Sequence, residues 1–529
     1  MVSAVTFIAL LTFIFFDIYN LIPAPAVRYI VLTQFIPSFL DFFTSLSPAF
    51  YFFILIIILT LITGRAYCSF MCPLGIFQDI VIRVSSSLRK GKSFAFGRAY
   101  NFIRYGILSA TAAVLIFTGT FFLLWFDPFS IYGRFAFYIV SPVIIKINNF
   151  IAVTMIKFNQ YTLQAVEIKP VSTVPVIITL IIILLIVISA IFKGRLYCNT
   201  VCPVGALLGI ISKISFLKIT LNKDTCVNCG KCERVCKSSC IYFKEGTVDF
   251  TRCVLCFNCL AVCPNSSTGF STAFPVKVKK DNFNQKSTAA GASFVSPVIS
   301  RKNFLSGMVF LPAVVTLPSG KEQKLYFQDA AKQVQYKRKV FASPPGSVGI
   351  DEFNSRCTAC SLCISRCPST VLRPAVFQYG IYGMLQPFLD FSSGYCNYDC
   401  IICGQVCPTG AISKTDIAEK HLIRTGKSVF IKENCITYTN NTVCGACSEH
   451  CPTKAVHMIP FKKGLVIPEV DNSLCTGCGA CEHVCPVRPF RAIYVDGIRK
   501  HDKAKLPVKK EDIKVETKKK AVRKEDFPF

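Results

Sequence analysis

The sequence predicts an α-helical membrane domain of four to five spans, followed by small α+β domains built around cysteine quartets. Three observations carry that prediction. Hydrophobic residues make up 52% of the chain and charged residues 17%, with a mean hydropathy of +0.47. Long uncharged runs fill the first 200 residues, and all but four of the 29 cysteines lie after Thr225. Apolar mass and cysteines are thus segregated, and 529 residues leave room for two to four domains.

Four uncharged stretches reach or approach the length of a bilayer-crossing helix: 1–16, 42–64, 105–126 and 171–192. No Lys or Arg precedes Arg28, so the first reads as a span and not as a cleaved signal. After the second come Arg65, Arg83, Arg89, Lys90, Lys92, Arg98 and Arg104 against one acid, Asp79. After the fourth come Lys193, Arg195, Lys213 and Lys218. The positive-inside rule places both segments in the cytoplasm. The apolar stretch 135–156 carries Lys146 at its centre, and counting it as a span would put one basic loop outside. It is therefore assigned to the outer surface.

The formal charge of +29 suggests an anionic partner. Cluster charge offsets part of it, since an oxidised cubane with four thiolates carries about −2. The remainder suits anionic lipid or an acidic redox partner, and nucleic acid is not expected. All five histidines (His421, His450, His457, His483 and His501) lie outside the membrane half, and no Cys-x-x-Cys-His occurs. The sequence therefore predicts no haem.

The cysteines repeat one pattern. Cys226, Cys229, Cys232 and Cys236 are followed by Cys253, Cys256, Cys259 and Cys263, both with the Cys-x-x-Cys-x-x-Cys-x-x-x-Cys spacing of bacterial ferredoxins. Three close thiolates wrap one 4Fe–4S cubane, and the fourth usually serves its neighbour. Cys226, Cys229, Cys232 and Cys263 are thus assigned to one cluster, and Cys253, Cys256, Cys259 and Cys236 to another. Four further quartets follow: Cys357, Cys360, Cys363, Cys367; Cys396, Cys400, Cys403, Cys407; Cys435, Cys444, Cys447, Cys451; and Cys475, Cys478, Cys481, Cys485. The second of these has one extra residue in its first gap, and the third a wide first gap. Six 4Fe–4S clusters are expected. Zinc sites favour separated Cys-x-x-Cys pairs, and a disulfide framework would not repeat this triplet. Cys240 falls outside the pattern and reads as a spare thiol.

Two further motifs, GRAYCSFMCPLG and GRLYCNTVCPVG, follow the second and fourth spans. Each puts two cysteines at i and i+4, on one face of a helix. Cys68, Cys72, Cys198 and Cys202 can supply a seventh metal centre, form a redox-active dithiol, or cap the helix ends. The near-duplication points to an internal repeat of two-helix units.

These motifs, followed by two ferredoxin quartets, resemble the NapH-type membrane ferredoxins, related to the NosR and CcoG families, over residues 50–265. The segment from Asp127-Pro128-Phe129-Ser130 to Arg134 resembles their outer loop. Beyond it, Pro344-Pro345-Gly346, Glu352-Phe353, Cys357, CPTGAIS and CTGCGACEHVCP resemble the NapG/MauM-type four-cluster ferredoxins. Ser300-Arg301-Lys302-Asn303-Phe304-Leu305 resembles a twin-arginine box with Lys302 in place of the second arginine, and the uncharged run 303–320, interrupted by Pro312, is the candidate fifth span. Analogy with other four-cluster subunits implies that the first quartet exchanges its last cysteine with the fourth, and the second with the third.

The expected domains are a membrane domain (1–215), a two-cluster domain (216–266), a linker with the export-like segment 300–320 (267–345), a four-cluster domain (346–498) and a charged flexible tail (499–529). The resemblance implies a quinol dehydrogenase of the bacterial cytoplasmic (inner) membrane. It would oxidise quinol from the quinone pool and pass electrons to a terminal reductase or small redox carrier, with the four-cluster domain on the outer side. Asp127 and Arg134 are the quinol-site candidates, against a plain ion pair beside Trp125. The rivals are a CcoG-like metal reductase and a redox-sensing maturation or regulatory factor.

Overall fold

The computed structural model describes residues 2–17, 19, 21–44, 49–88, 100–169, 171–272 and 326–505. The twin-arginine-like box and the apolar run 303–320 lie outside the described residues, as does the tail beyond residue 505.

The first half is helical: α1 (Val2–Phe16), α2 (Ala24–Leu32), α3 (Phe35–Thr44), α4 (Ala49–Thr63), α5 (Tyr67–Phe70), α6 (Pro73–Leu88), α7 (Asn101–Phe117), α8 (Phe121–Phe126), α9 (Pro128–Phe135), α10 (Ser141–Lys157), α11 (Thr173–Lys193), α12 (Leu196–Thr200) and α13 (Pro203–Ser212). A π-turn, Ala136–Val140, makes α9 and α10 one continuous helix. Two helices are long and apolar enough to cross a membrane, Pro128–Lys157 and Thr173–Lys193. The second matches the expected span 171–192. The other expected spans form shorter apolar helices, and Pro128–Lys157 contains the stretch assigned above to the outer surface.

The two cysteine motifs fold alike. Gly64 and Gly194 end α4 and α11 with φ of +86° and +67°, a conformation that a side chain would strain. The short helices α5 and α12 carry Tyr67-Cys68 and Tyr197-Cys198. Proline then opens the next helix at its first position, where a missing N–H costs nothing. The Cys202 sulfur accepts the Gly205 N–H at 3.3 Å as an N-cap. Gly75 and Gly205 must be glycine, since a Cβ on either would lie 2.2 Å from the carbonyl oxygen of Cys68 or Cys198. The glycines, the proline and the Cys202 cap of the motif thus have steric or capping roles.

The cysteine-rich half consists of short helices and two-stranded sheets. Leu217–Leu221 pairs antiparallel with Thr268–Thr272 and closes the two-cluster domain. Ile423–Phe430 pairs antiparallel with Ile493–Lys503, with an irregularity between Gly497 and Asp502. Two expected boundaries shift. That last strand runs to Lys503, into the expected flexible tail, because the facing strand supplies partners for its backbone. Residues 326–345, read as linker, pack on the four-cluster domain: Tyr326–Phe327 pairs with Val487–Arg488, and Val334 N–H donates to Asn434.

The cysteine-rich domains contact opposite ends of the helices. Near the start of α7, Arg104 donates to Thr251 and to the Gly205 carbonyl. Just past its other end, Thr120 N–H donates to the Ser355 carbonyl at 2.9 Å and its hydroxyl to the Cys357 carbonyl at 3.0 Å. The intervening helix covers about 20 Å at 1.5 Å per residue. Apolar residues of α1 and α9, including Leu11, Phe15 and Phe129, share one core with Leu362, Leu389 and Phe391 of the four-cluster domain.

Candidate iron–sulfur centres

The quartets impose an unusual backbone. In Cys226–Cys232, Cys253–Cys259, Cys357–Cys363 and Cys475–Cys481, the residues on both sides of the middle cysteine have positive φ. These are Asn228 and Gly230, Leu255 and Phe257, Ala359 and Ser361, and Gly477 and Gly479. Six of the eight are φ values of 52° to 66°, including the non-glycine residues Leu255, Phe257, Ala359 and Ser361. Such strain persists only where surroundings over-determine it. It curls the loop so that successive thiols face one centre. The quartets with a longer first gap, at Cys396 and Cys435, lack this pair of left-handed residues.

Of the two sets assigned in the two-cluster domain, Cys236, Cys253, Cys256 and Cys259 line one small cavity. The exchange expected in the four-cluster domain is corrected. Cys407 lies within electrostatic reach of Cys357, Cys360 and Cys363, and Cys367 of Cys396 and Cys403. Cys485 lines a cavity with Cys435, Cys444 and Cys447, and Cys451 neighbours Cys475, Cys478 and Cys481. The first quartet therefore exchanges with the second and the third with the fourth, since chain neighbours fold as one pair. Cys478 also neighbours Cys396, and its carbonyl accepts the Cys396 N–H at 2.9 Å, which joins the two pairs.

The donor set fits cubanes. Among the described residues, no three His, Cys, Asp or Glu side chains converge closely enough for a single metal ion. Two of the sets, Cys236 with Cys253, Cys256 and Cys259, and Cys485 with Cys435, Cys444 and Cys447, each line a small cavity. Backbone N–H groups point at the sulfurs, from Ala359 to Cys357, Ile412 to Cys407 and Ala492 to Cys485, each at 3.4 Å. Such bonds stabilise the negative charge of a cluster.

Cys240 is not a spare thiol. It is 2% exposed, with its sulfur 3.4 Å from that of Cys236 and hydrogen-bonded also to Cys253. Those two bonds keep its own proton bound, well above the usual thiol range. The bond from Cys240 pulls Cys236 down to about 6, and that from Cys240 likewise lowers Cys253. No spacing rule signals this residue, because its role arises only from the folded loop.

Cys68, Cys72, Cys198 and Cys202 are all buried, 4–5% exposed, and lie within electrostatic reach of one another. Two arginines cross between the repeats. Arg65 donates to the Cys198 carbonyl at 3.1 Å and Arg195 to the Cys68 carbonyl at 2.6 Å. Arg195 also makes a bidentate pair with Asp79, which in turn holds Lys237 at 3.0 Å. Cys256 packs against the core that contains these four thiols.

Asp127 and Arg134 are each 1% exposed. Asp127 is the N-cap of α9, accepting the N–H groups of Phe129 and Ser130 and the Ser130 hydroxyl at 3.2, 2.8 and 2.6 Å. The simple ion pair is not formed, because these bonds hold the carboxylate and both terminal nitrogens of Arg134 lack a hydrogen-bond partner among the described residues. Asp127 stands between the two sets of thiols: Tyr67 and Tyr197 feel its charge on one side and Cys360 on the other. The carbonyl of Cys360 would lie 2.5 Å from a Cβ on Gly133, one turn along α9.

Quartets of this form, on curled loops with N–H groups aimed at sulfur, define an iron–sulfur electron-transfer protein. Family comparison agrees. A model described as a 4Fe–4S binding domain matches residues 48–92 and 176–222, each containing one membrane-proximal cysteine pair, and a 4Fe–4S dicluster domain matches 442–488. The chain is 34% identical over 142 residues to the methylamine utilization ferredoxin-type protein MauM of Methylophilus methylotrophus, covering 25% of this chain and 61% of that one. It is 33% identical over 188 residues to MauM of Methylorubrum extorquens (34% of this chain, 80% of that one), and 31% over 146 residues to the ferredoxin-type protein NapG of Escherichia coli K12 (25% and 61%). The chain belongs to the MauM ferredoxin-type family. It spans about three fifths of the length of the first of these relatives.

Proposed function

We propose that this protein carries electrons from quinol of the cytoplasmic membrane to an acceptor on the outer side, through 4Fe–4S clusters. The 24 quartet cysteines would hold six clusters, in a two-cluster domain (216–266) and a four-cluster domain (346–498). Cys68, Cys72, Cys198 and Cys202 would hold a seventh. When bound, each cluster supplies a site that accepts and releases one electron. The protein's own residues set the spacing, exclude water and aim N–H groups at the sulfurs.

One observation carries the reading. The two-cluster domain touches the Arg104 end of α7 and the four-cluster domain touches the Thr120 end, with the four buried thiols and Asp127 between them. With no haem in the reading, a line of thiols from Cys256 through Cys72 towards Cys360 supports electron exchange between the two cluster domains. The same arrangement supports a multi-pass membrane domain with α1, α4, α7 and α11 as its four crossings; a fifth over 303–320 is proposed from the sequence alone. The four-cluster domain would face the outer compartment, where a terminal reductase or small carrier takes the electrons.

The test uses anaerobic membrane vesicles containing the full chain. Quinol should reduce the clusters, seen as EPR signals of the reduced state. Intact clusters that dithionite reduces and quinol does not would refute the donor.

A further inference from the structure

The quinol candidates read from the sequence are sealed inside the fold, so a quinol ring must sit elsewhere. Two cavities adjoin the thiol line. One, of about 400 Å³, lies beside Trp125 and Tyr197. Its hydroxyl protons are spent: Tyr197 donates to the Phe126 carbonyl, Ser189 to Ile186 and Thr200 to Leu196. It can take an acyl chain, but no cysteine lines it, so a ring there would lie farther from any cluster ligand.

The other, of about 360 Å³, lies between the end of α1, the start of α10, the returning segment 166–171 and the turn Ser365–Thr370. Phe16, Phe137, Ile145 and Val171 give it apolar walls. The main chain of Cys367 forms one side, fixed by Lys169, whose ammonium donates to the carbonyls of Ser365 and Cys367 at 2.5 and 2.9 Å. Arg366, 5% exposed, lines the cavity, with its terminal nitrogens held by the Asp17 carboxylate and the Ile22 carbonyl. Glu167 stands exposed at the rim. Just outside, α10 turns Val143, Ile147 and Phe150 outward, 54%, 54% and 75% exposed. An apolar cleft with a few placed polar groups is the usual form of a small-molecule site.

We propose that this cavity binds the ring of a lipid-soluble quinol, and that electrons enter the cluster chain through the Cys367 site. The inference rests on the quinol reading above and gives it a location. The ring lies between Phe137 and Ile145, its tail follows the apolar face of α10 into lipid, and a ring oxygen faces Glu167 at the rim. On oxidation both O–H bonds break. Two electrons leave, one at a time, to oxidised 4Fe–4S clusters beginning with that of Cys367, Cys396, Cys400 and Cys403. Two protons leave to the Glu167 carboxylate and from there to water, and quinone remains.

The test compares the unaltered protein with Ile145→Trp and Val171→Trp in vesicles, using 2,3-dimethyl-1,4-naphthoquinol and, separately, dithionite. Filling the cavity should slow quinol-driven reduction at least roughly tenfold, as misplacing a reactant does, and leave dithionite-driven EPR signals unchanged. Equal quinol rates in all three proteins would overturn the site. An unaltered protein that dithionite reduces but the naphthoquinol does not would sink the quinol reading itself. If a variant fails to assemble, a photoreactive azidonaphthoquinone on the unaltered protein decides. Labelling within 137–145 or 166–171 supports the site, and labelling only around Trp125 refutes it.

Discussion

The guanidinium of Arg195 donates to the carbonyl oxygen of Cys68 at 2.6 Å, joining the second cysteine motif to the first. Arg65 returns the contact to Cys198, so each repeat fixes the main chain that presents the other's thiols. Arg195→Ala would leave the Asp79 carboxylate, mostly buried, with only Lys237. Breaking a buried pair from one side costs about 3–5 kcal/mol. Thermal unfolding of the purified full chain should show the loss, and Asp79→Ala together with Arg195→Ala should recover part of it.

The four-thiol site makes a stoichiometric prediction. Seven cubanes correspond to about 28 irons per chain, and six to about 24. Anaerobically purified protein should give the higher figure, and Cys68→Ala with Cys198→Ala should lower it by about four. An unaltered protein at the lower figure, with all quartet signals present, would leave the four thiols without a cluster.

Cys240→Ala should move the midpoint potential of the Cys236, Cys253, Cys256 and Cys259 site downward. A donor to thiolate favours the more negative, reduced state, and this variant removes the one S–H that Cys236 and Cys253 share. Cys240→Ser should move it less. EPR-monitored titration reads the shift, and iron content should stay constant. A fall of four irons would instead make Cys240 a ligand.

The junction with the helices depends on Arg366 and Asp17, a pair 3% and 0% exposed at the side chains and 2.6 Å apart. Arg366→Ala should weaken the attachment of the four-cluster domain by about 3–5 kcal/mol. Limited proteolysis should then cut more readily near residues 17–22 and 365–370.

His501 gives the domain a pH dependence. Burial holds its imidazole down to about 4, with Nε2 2.9 Å from the Ser343 hydroxyl. The folded state keeps it neutral, whereas the unfolded chain takes up a proton near pH 6.5. Its contribution is therefore complete above pH 6.5 and is lost as pH falls towards 4, by at most about 3 kcal/mol. His501→Gln should flatten that part of the stability profile, measured as the difference from the unaltered protein.

Much of the site is legible in the sequence because cluster ligation is local. Three thiols on one short loop announce themselves by spacing, and the repeated motif declares its symmetry. The exchange between quartets is a tertiary fact, set by which loops fold together, and spacing alone could not choose Cys407 over Cys485 for the first quartet. Asp127 shows the opposite case. Asp-Pro-Phe-Ser is a helix-start signal, with a capping side chain before a proline at the first position. A carboxylate in an outer loop also suits proton transfer, and only its buried bonds separate the two roles.

The crossed cysteines have a consequence for damage and repair. Cys236, Cys367, Cys407, Cys451 and Cys485 each stand on a loop whose other thiols face a neighbouring centre. Oxidation of any one of them strips a ligand from one centre and loosens the loop that wraps the next. The natural unit of failure under oxygen is therefore a doublet, and so is the unit that a repair system would have to rebuild.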